Sequence, residues 1–251
     1  MRKAIVIALL ASGALLAQGP RGGRFGGPGF EGAGASLLRG ATVTGVPFSA
    51  VQTTTHQQTL ANGNVIQRQE TTNLFRDSQG RVREETTWSG PNGESRTTVT
   101  ISDPVAQVVR RLNPRAKTVS EMPMRQRTAG EANARTAGGQ RVHEGSANLV
   151  KEDLGTQTLN GVVATGTRFT RTIAAGAMGN SQPIQQVRET WTASDLKVPV
   201  MVKISDPRFG TTVTQLTNIT RAEPDAALFQ APADYTVSQG RGPRTGAPQA
   251  Q

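Results

Sequence analysis

The chain has two histidines, His56 and His143, and no cysteine in 251 residues. A zinc or iron centre needs a tight group of imidazole, thiolate and carboxylate ligands, and nothing at metal-ligand spacing surrounds either histidine. No metal or cofactor is expected. Gly27-Pro28-Gly29-Phe30-Glu31-Gly32 has the G-x-G-x-x-G spacing that cradles a pyrophosphate. That motif works only between a strand and a helix, and the flanks show neither pattern, so the match is compositional. Ser146 sits near His143 without a nucleophile elbow. Asp103 and Asp206 occupy equivalent positions of a repeat, which is the one argument for reading them as a carboxylate pair, and the Pro that follows each makes a capped turn the better reading. Glu84 and Glu85 are adjacent, so on a strand they point to opposite faces and cannot share a substrate. With Arg81, Arg83, Arg188 and Glu189 they are expected to form cross-strand ion pairs. His56 follows three threonines on a strand and is expected to be a surface ring. Asn218-Ile219-Thr220 is a sequon, read as inert. No group supplies nucleophile, base and orienter together, so a non-catalytic protein is expected and no catalytic, cofactor, metal or ligand-binding residue is assigned.

The elements that carry these residues are set by a duplication. Thr87-Trp88, twelve residues and Ile101-Ser102-Asp103-Pro104 recur as Thr190-Trp191, twelve residues and Ile204-Ser205-Asp206-Pro207, an offset of 103. Upstream, Gln58-Thr59-Leu60 with Asn62-Gly63 is echoed by Gln157-Thr158-Leu159 with Asn160-Gly161. A spacing shared between rare residues and a four-residue word defines one structural block made twice. Both Asn-Gly pairs read as hairpin turns with positive φ at the two central positions. After each comes a β-branched polar run (Val65 to Phe75, Val162 to Ile173), a strand ending at the tryptophan, a second turn, and a strand ending at Ile101 or Ile204. Val198, Val200, Val202 and Ile204 alternate with Pro199, Met201 and Lys203, as in a strand with one wet face. Val82 shares a face with Trp88 and Val187 with Trp191, so both indoles are expected over one core. Val105 to Leu112 also fits a helix capped by Asp103, but its counterpart Thr211 to Leu216 favours a strand, and both are read as strands.

Residues 1–17 have a basic start, an apolar run from Ala4 to Leu16 and a small residue at Ala17, the pattern of a secretory signal and too short to cross a bilayer. Residues 18–41 are a Gly- and Arg-rich linker, residues 42–237 one β-rich domain, residues 122–147 a flexible insertion with a short helix around Gly130 to Thr136 left open, and residues 238–251 a disordered tail. Net charge is +10. Arg110 to Arg141 holds eight basic residues against Glu121 and Glu131, and the signal, linker and tail carry most of the rest, leaving the folded part near neutral. A nucleic-acid reader carries its charge on a rigid face, so that class is excluded, while an acidic envelope component is compatible as a partner.

The ending runs Leu216-Thr217-Asn218-Ile219, Glu223-Pro224-Asp225, Leu228-Phe229 and Ala231-Pro232-Ala233-Asp234-Tyr235. A last strand, a short helical turn opened by Pro224-Asp225 and a closing Phe-x-x-Pro-x-x-Tyr resemble the ending of LolA-like proteins, the periplasmic lipoprotein carriers and their uncharacterised secreted relatives. The resemblance is specific for about 40 residues and implies a strongly curved antiparallel sheet, an incomplete barrel whose hollow can shelter acyl chains. Strand faces rich in Thr, Gln and Arg depart from a carrier's apolar hollow. The expected fold is therefore mainly β: a strongly curved, incompletely closed antiparallel sheet of two duplicated hairpin units with little helix. The expected function is an exported, periplasmic or extracellular, non-catalytic binding protein with a lipid-like ligand. The alternative is an envelope interaction module that holds a partner through the Arg-rich segment and a sheet edge.

Overall fold

A computed structural model describes residues 37–38, 42–89, 93–124 and 148–239. The strands are β1 (Phe48–Thr59), β2 (Val65–Arg76), β3 (Val82–Ser89), β4 (Ser95–Asp103), β5 (Val108–Asn113), β6 (Thr118–Pro123), β7 (Leu149–Leu159), β8 (Val162–Ile173), β9 (Ile184–Ala193), β10 (Val198–Asp206), β11 (Gly210–Thr220) and β12 (Thr236–Gln239), with a 3₁₀ turn at Ala226–Phe229 before β12. Residues 1–17, the Gly27 to Gly32 motif, the Gly130 to Thr136 stretch, His143 and Ser146 lie outside the described residues.

All strands belong to one sheet, ordered β12-β6-β5-β4-β3-β2-β1-β11-β10-β9-β8-β7, antiparallel except where β12 runs parallel to β6. The order makes the duplication visible. Strands β1 to β5 form one meander and β7 to β11 its copy, joined by pairing the first strand of one to the last of the other. The sheet does not close, because β7 and β12 remain as edges. It is strongly curled all the same: Asn160 in the β7–β8 turn donates from Nδ2 to the Leu216 carbonyl at 2.7 Å, although β9 and β10 separate β8 from β11 in the ladder.

Turn chemistry follows the residues. Asn160 and Gly161 both have positive φ, as the tight hairpin turn demands. Its first-copy counterpart differs from expectation: Thr59 pairs with Val65, so the loop is longer, and there only Gly63 has positive φ while the Asn62 side chain accepts from the Asn64 amide. The two Ser-Asp-Pro words are corners. Asp103 Oδ1 accepts from the amides of Val105 and Ala106, and Asp206 Oδ1 from that of Arg208. Both strands run past the isoleucine to the aspartate, and Val108–Asn113 is a strand, not a helix.

Burial is divided between two clusters. One cluster contains Phe48, Ala50, Leu74, Val162, Ala164, Trp191, Ala193, Leu196, Val198, Val200 and Leu216. The second contains Val99, Ile101, Leu112, Val119 and Phe229, with Phe75, Leu228 and Tyr235 packed against it. Leu74 pairs with Glu84, which pairs with Thr100, whereas Phe75 pairs with Arg83, which pairs with Ile101. Residues directly opposite in a ladder share a face, so the apolar side of the sheet changes over between β2 and β4. The C-terminal segment that carries the LolA-like resemblance covers the second cluster. Asp225 caps the 3₁₀ turn by accepting from the Ala227 amide, and Arg83 Nη1 donates to the Leu228 carbonyl at 2.7 Å. The expectation of both indoles over one core is corrected here: Trp191 is buried in the first cluster, but Trp88, near the end of β3 and opposite Arg96, is exposed.

Candidate functional site

On β1 the side chains of Phe48, Ala50, Gln52 and Thr54 are buried in strict alternation, and His56 continues that face. The first two belong to the apolar cluster, so the face turns polar along the strand. The register extends the polar end across the sheet. Arg68 pairs with His56, His56 with Thr212, Thr212 with Ile204, Ile204 with Arg188 and Arg188 with Phe169. The next row runs Glu70, Thr54, Thr214, Val202, Thr190 and Thr167.

Hydroxyl pairs make this surface tolerable to bury. Thr54 and Thr214 share a hydrogen bond at 3.2 Å, Thr72 and Thr86 one at 2.9 Å, and His56 Nδ1 meets Thr212 Oγ1 at 2.9 Å. His56 is thus half-buried, not the surface ring expected of it, and burial together with the nearby Arg68 charge lowers its pKa.

Two ionisable groups on this surface are not satisfied in the same way. Burial raises the pKa of Glu70, and no hydrogen bond or ion pair reaches it among the described residues. Burial lowers the pKa of the Arg188 guanidinium, whose hydrogen bond is a long one, 3.5 Å from Nε to Thr190 Oγ1. The expectation that Arg188 joins a cross-strand ion pair is therefore corrected. Its neighbour Glu189 does pair, with Arg168 at 2.9 Å across β8–β9, and Arg83 pairs with Glu85 along its own strand. Arg81 bridges to Asp77. Nothing in the residue pattern distinguished Arg188 from these, because its isolation depends on the register that sets it between Phe169 and Ile204.

The Glu70 shift has a sign that can be tested. A carboxyl whose folded pKa lies above its unfolded value makes the ionised fold less stable, and stability returns as pH falls through the folded pKa. Glu70→Gln is expected to raise the melting temperature at pH 7 by about 2 °C, a small effect because the group is half-exposed, and the advantage is expected to vanish in acid below the glutamate range. Thermal melts of both proteins across pH check this; a gain that grows in acid contradicts it.

Outside this surface, a shallow depression of about 340 Å³ is lined by Glu152, Arg168, Thr170, Val187, Glu189, Lys203 and Ser205. Its arginine is already bridged to both carboxylates, so it is a paired surface network. Asp206 is likewise committed. Burial alone would raise its pKa, but hydrogen bonds from Arg208 and Gln186 outweigh that and hold the carboxyl below the ordinary range. Among the described residues no group of three His, Cys, Asp or Glu side chains is placed to hold a metal ion, and no helix is long and apolar enough to cross a membrane.

No protein-family model matches the chain, and no curated protein matches it. Among solved structures it is similar to MucB in complex with MucA(peri), at 14% identity and a TM-score of 0.40, over 78% of this chain and 57% of that one. It is similar also to a LolA superfamily protein from Nitrosomonas europaea, at 7% identity and a TM-score of 0.34, over 75% of this chain and 91% of that one. A third is the lipoprotein LppX from Mycobacterium tuberculosis, at 12% identity and a TM-score of 0.31, over 72% of this chain and 90% of that one. The chain spans just over half the length of MucB.

Proposed function

We propose that the chain is an exported, non-catalytic binding protein that holds an amphipathic ligand against its curled sheet. The observation that carries this reading is the change of character along one face, from the closed core at Phe48, Ala50 and Leu216, through the buried hydroxyls of Thr214 and Thr212, to the half-buried Arg188 and His56. The partly exposed end of that face, where Ile204 and Phe169 flank Arg188 with His56 beyond, sets apolar and polar groups side by side and suits a molecule with a tail and a head. Export rests on the signal pattern of residues 1–17. Organic extraction of the purified protein followed by mass spectrometry is expected to recover a lipid-like molecule at about one per chain. Recovery of none, together with no uptake of a fluorescent fatty acid, overturns the reading.

A second reading is favoured by one feature. Strand β7 is an edge and is exposed along most of its 11 residues, and it directly follows the Arg-rich segment. An open edge next to a basic segment suits an acidic envelope partner that adds a strand. Deleting residues 125–147, which spares β6 and β7, would then abolish capture of that partner; capture that survives the deletion removes this alternative.

A further inference from the structure

Every other buried or half-buried arginine among the described residues has an oxygen partner that a guanidinium favours. Arg76 has the carbonyls of Val46 and Leu196, Arg81 has Asp77, Arg83 has Glu85, and Arg110 has Asp103 and Glu121. Arg168 has Glu152 and Glu189, and Arg208 has Asp206. Arg188 has neither carboxylate nor carbonyl, only the long bond to a threonine hydroxyl. Withdrawing a cation from water without an anion to face it is unfavourable, and replacing such a charge by an apolar group commonly stabilises a fold. A guanidinium held this way is poised for a ligand, because its planar fork matches the two oxygens of a carboxylate or phosphate.

The neighbours define what such a ligand looks like. Phe169 on one side and Ile204 on the other are apolar, and beyond Ile204 the row continues with the Thr212 hydroxyl and the His56 ring. Glu70, the carboxylate on the same face without a partner, lies on β2, four strands from β9 in the sheet order. We propose that Arg188 receives the anionic head, carboxylate or phosphate, of the amphipathic ligand, with Phe169 and Ile204 against its first carbons. This rests on the ligand-binding reading above and names the class of molecule that the face selects.

The test is calorimetric titration of the full chain with three single-chain probes: oleate, a monoacylglycerol phosphate and the uncharged monoacylglycerol. The expected result is at least about tenfold tighter binding of one or both anionic probes than of the neutral one. Tighter oleate identifies the carboxylate as the natural head, and tighter phosphate ester identifies the phosphate. Arg188→Leu is expected to erase that preference while raising the melting temperature of the ligand-free protein, and Arg188→Lys, which keeps the charge and loses the fork, to retain part of the preference. Equal binding of charged and neutral probes by the native chain, or a preference that survives in Arg188→Leu, overturns the assignment and leaves the binding reading standing. Binding of none of the three overturns both.

Discussion

Trp191→Ala is expected to lower the unfolding free energy by about 3–5 kcal/mol, and Trp88→Ala by less than about 1 kcal/mol, although the two tryptophans occupy the same position of the duplicated block. Trp191 is 7% exposed and lies among Val162, Ala164, Ala193, Val198 and Val200. Its six-membered ring lies flat on Gly166, where an added Cβ would fall 2.7 Å from Cη2 and Cζ3. Truncation leaves a ring-sized void that a sheet ladder cannot close up around. Trp88 is 37% exposed, pairs with Arg96 and belongs to neither buried cluster of the described residues. Trp191 Nε1 is buried without an acceptor, so Trp191→Phe removes an unsatisfied donor while keeping most of the ring, and it should cost much less than the alanine change. Urea unfolding of the three variants measures all of this; equal losses from Trp88→Ala and Trp191→Ala would mean that the two copies are energetically alike.

That asymmetry shows where the residue pattern spoke clearly and where it could not. The repeated words, the Asn-Gly turn at Asn160 and the alternation of Val198, Val200 and Val202 are local signals, each tied to backbone geometry within a few residues. They mark out the strands, the corners at Asp103 and Asp206 and the curved, open, mainly β architecture. Which face of each strand becomes the inner one is not local. It depends on pairing, and a shift of one residue exchanges the faces. Trp88 and Trp191 look equivalent in the chain, yet the apolar side changes between Leu74 and Phe75, so that Ile101 is buried on the face opposite to Leu74 and the first copy leaves its indole in solvent. Arg188 was hidden for the same reason. An arginine beside a glutamate on a Thr-rich strand reads as half of an ion pair, and only the register shows that Glu189 turns to Arg168 while Arg188 faces Ile204 and Phe169.

Arg76→Ala is expected to cost about 3–5 kcal/mol and to loosen one half of the molecule more than the other. Arg76 is 2% exposed, and burial pushes its pKa below the arginine range, yet no carboxylate faces it. Its Nε donates to the Val46 carbonyl at 3.0 Å and its Nη2 to the Leu196 carbonyl at 2.6 Å, and its guanidinium lies 4.6 Å from the centre of the Phe48 ring. Those contacts tie the end of β2 to the chain entering β1 and to the turn between β9 and β10, which β1 and β11 separate from β2 in the sheet order. The side chain is therefore a clasp across the curl. Removing it strands buried carbonyls, at about 1–3 kcal/mol each, and opens space beside Phe48. Arg76→Lys keeps the charge but has no planar fork to reach two carbonyls at once, so it should recover less than half of the loss. Hydrogen exchange locates the effect. Protection should fall at Leu196 to Val200 and along β1, while β4, β5 and β6, which bury a separate cluster on the other face beneath Phe229, keep theirs. An equal fall in both regions would show that the two clusters unfold as one unit and that the clasp holds the whole sheet rather than its curl.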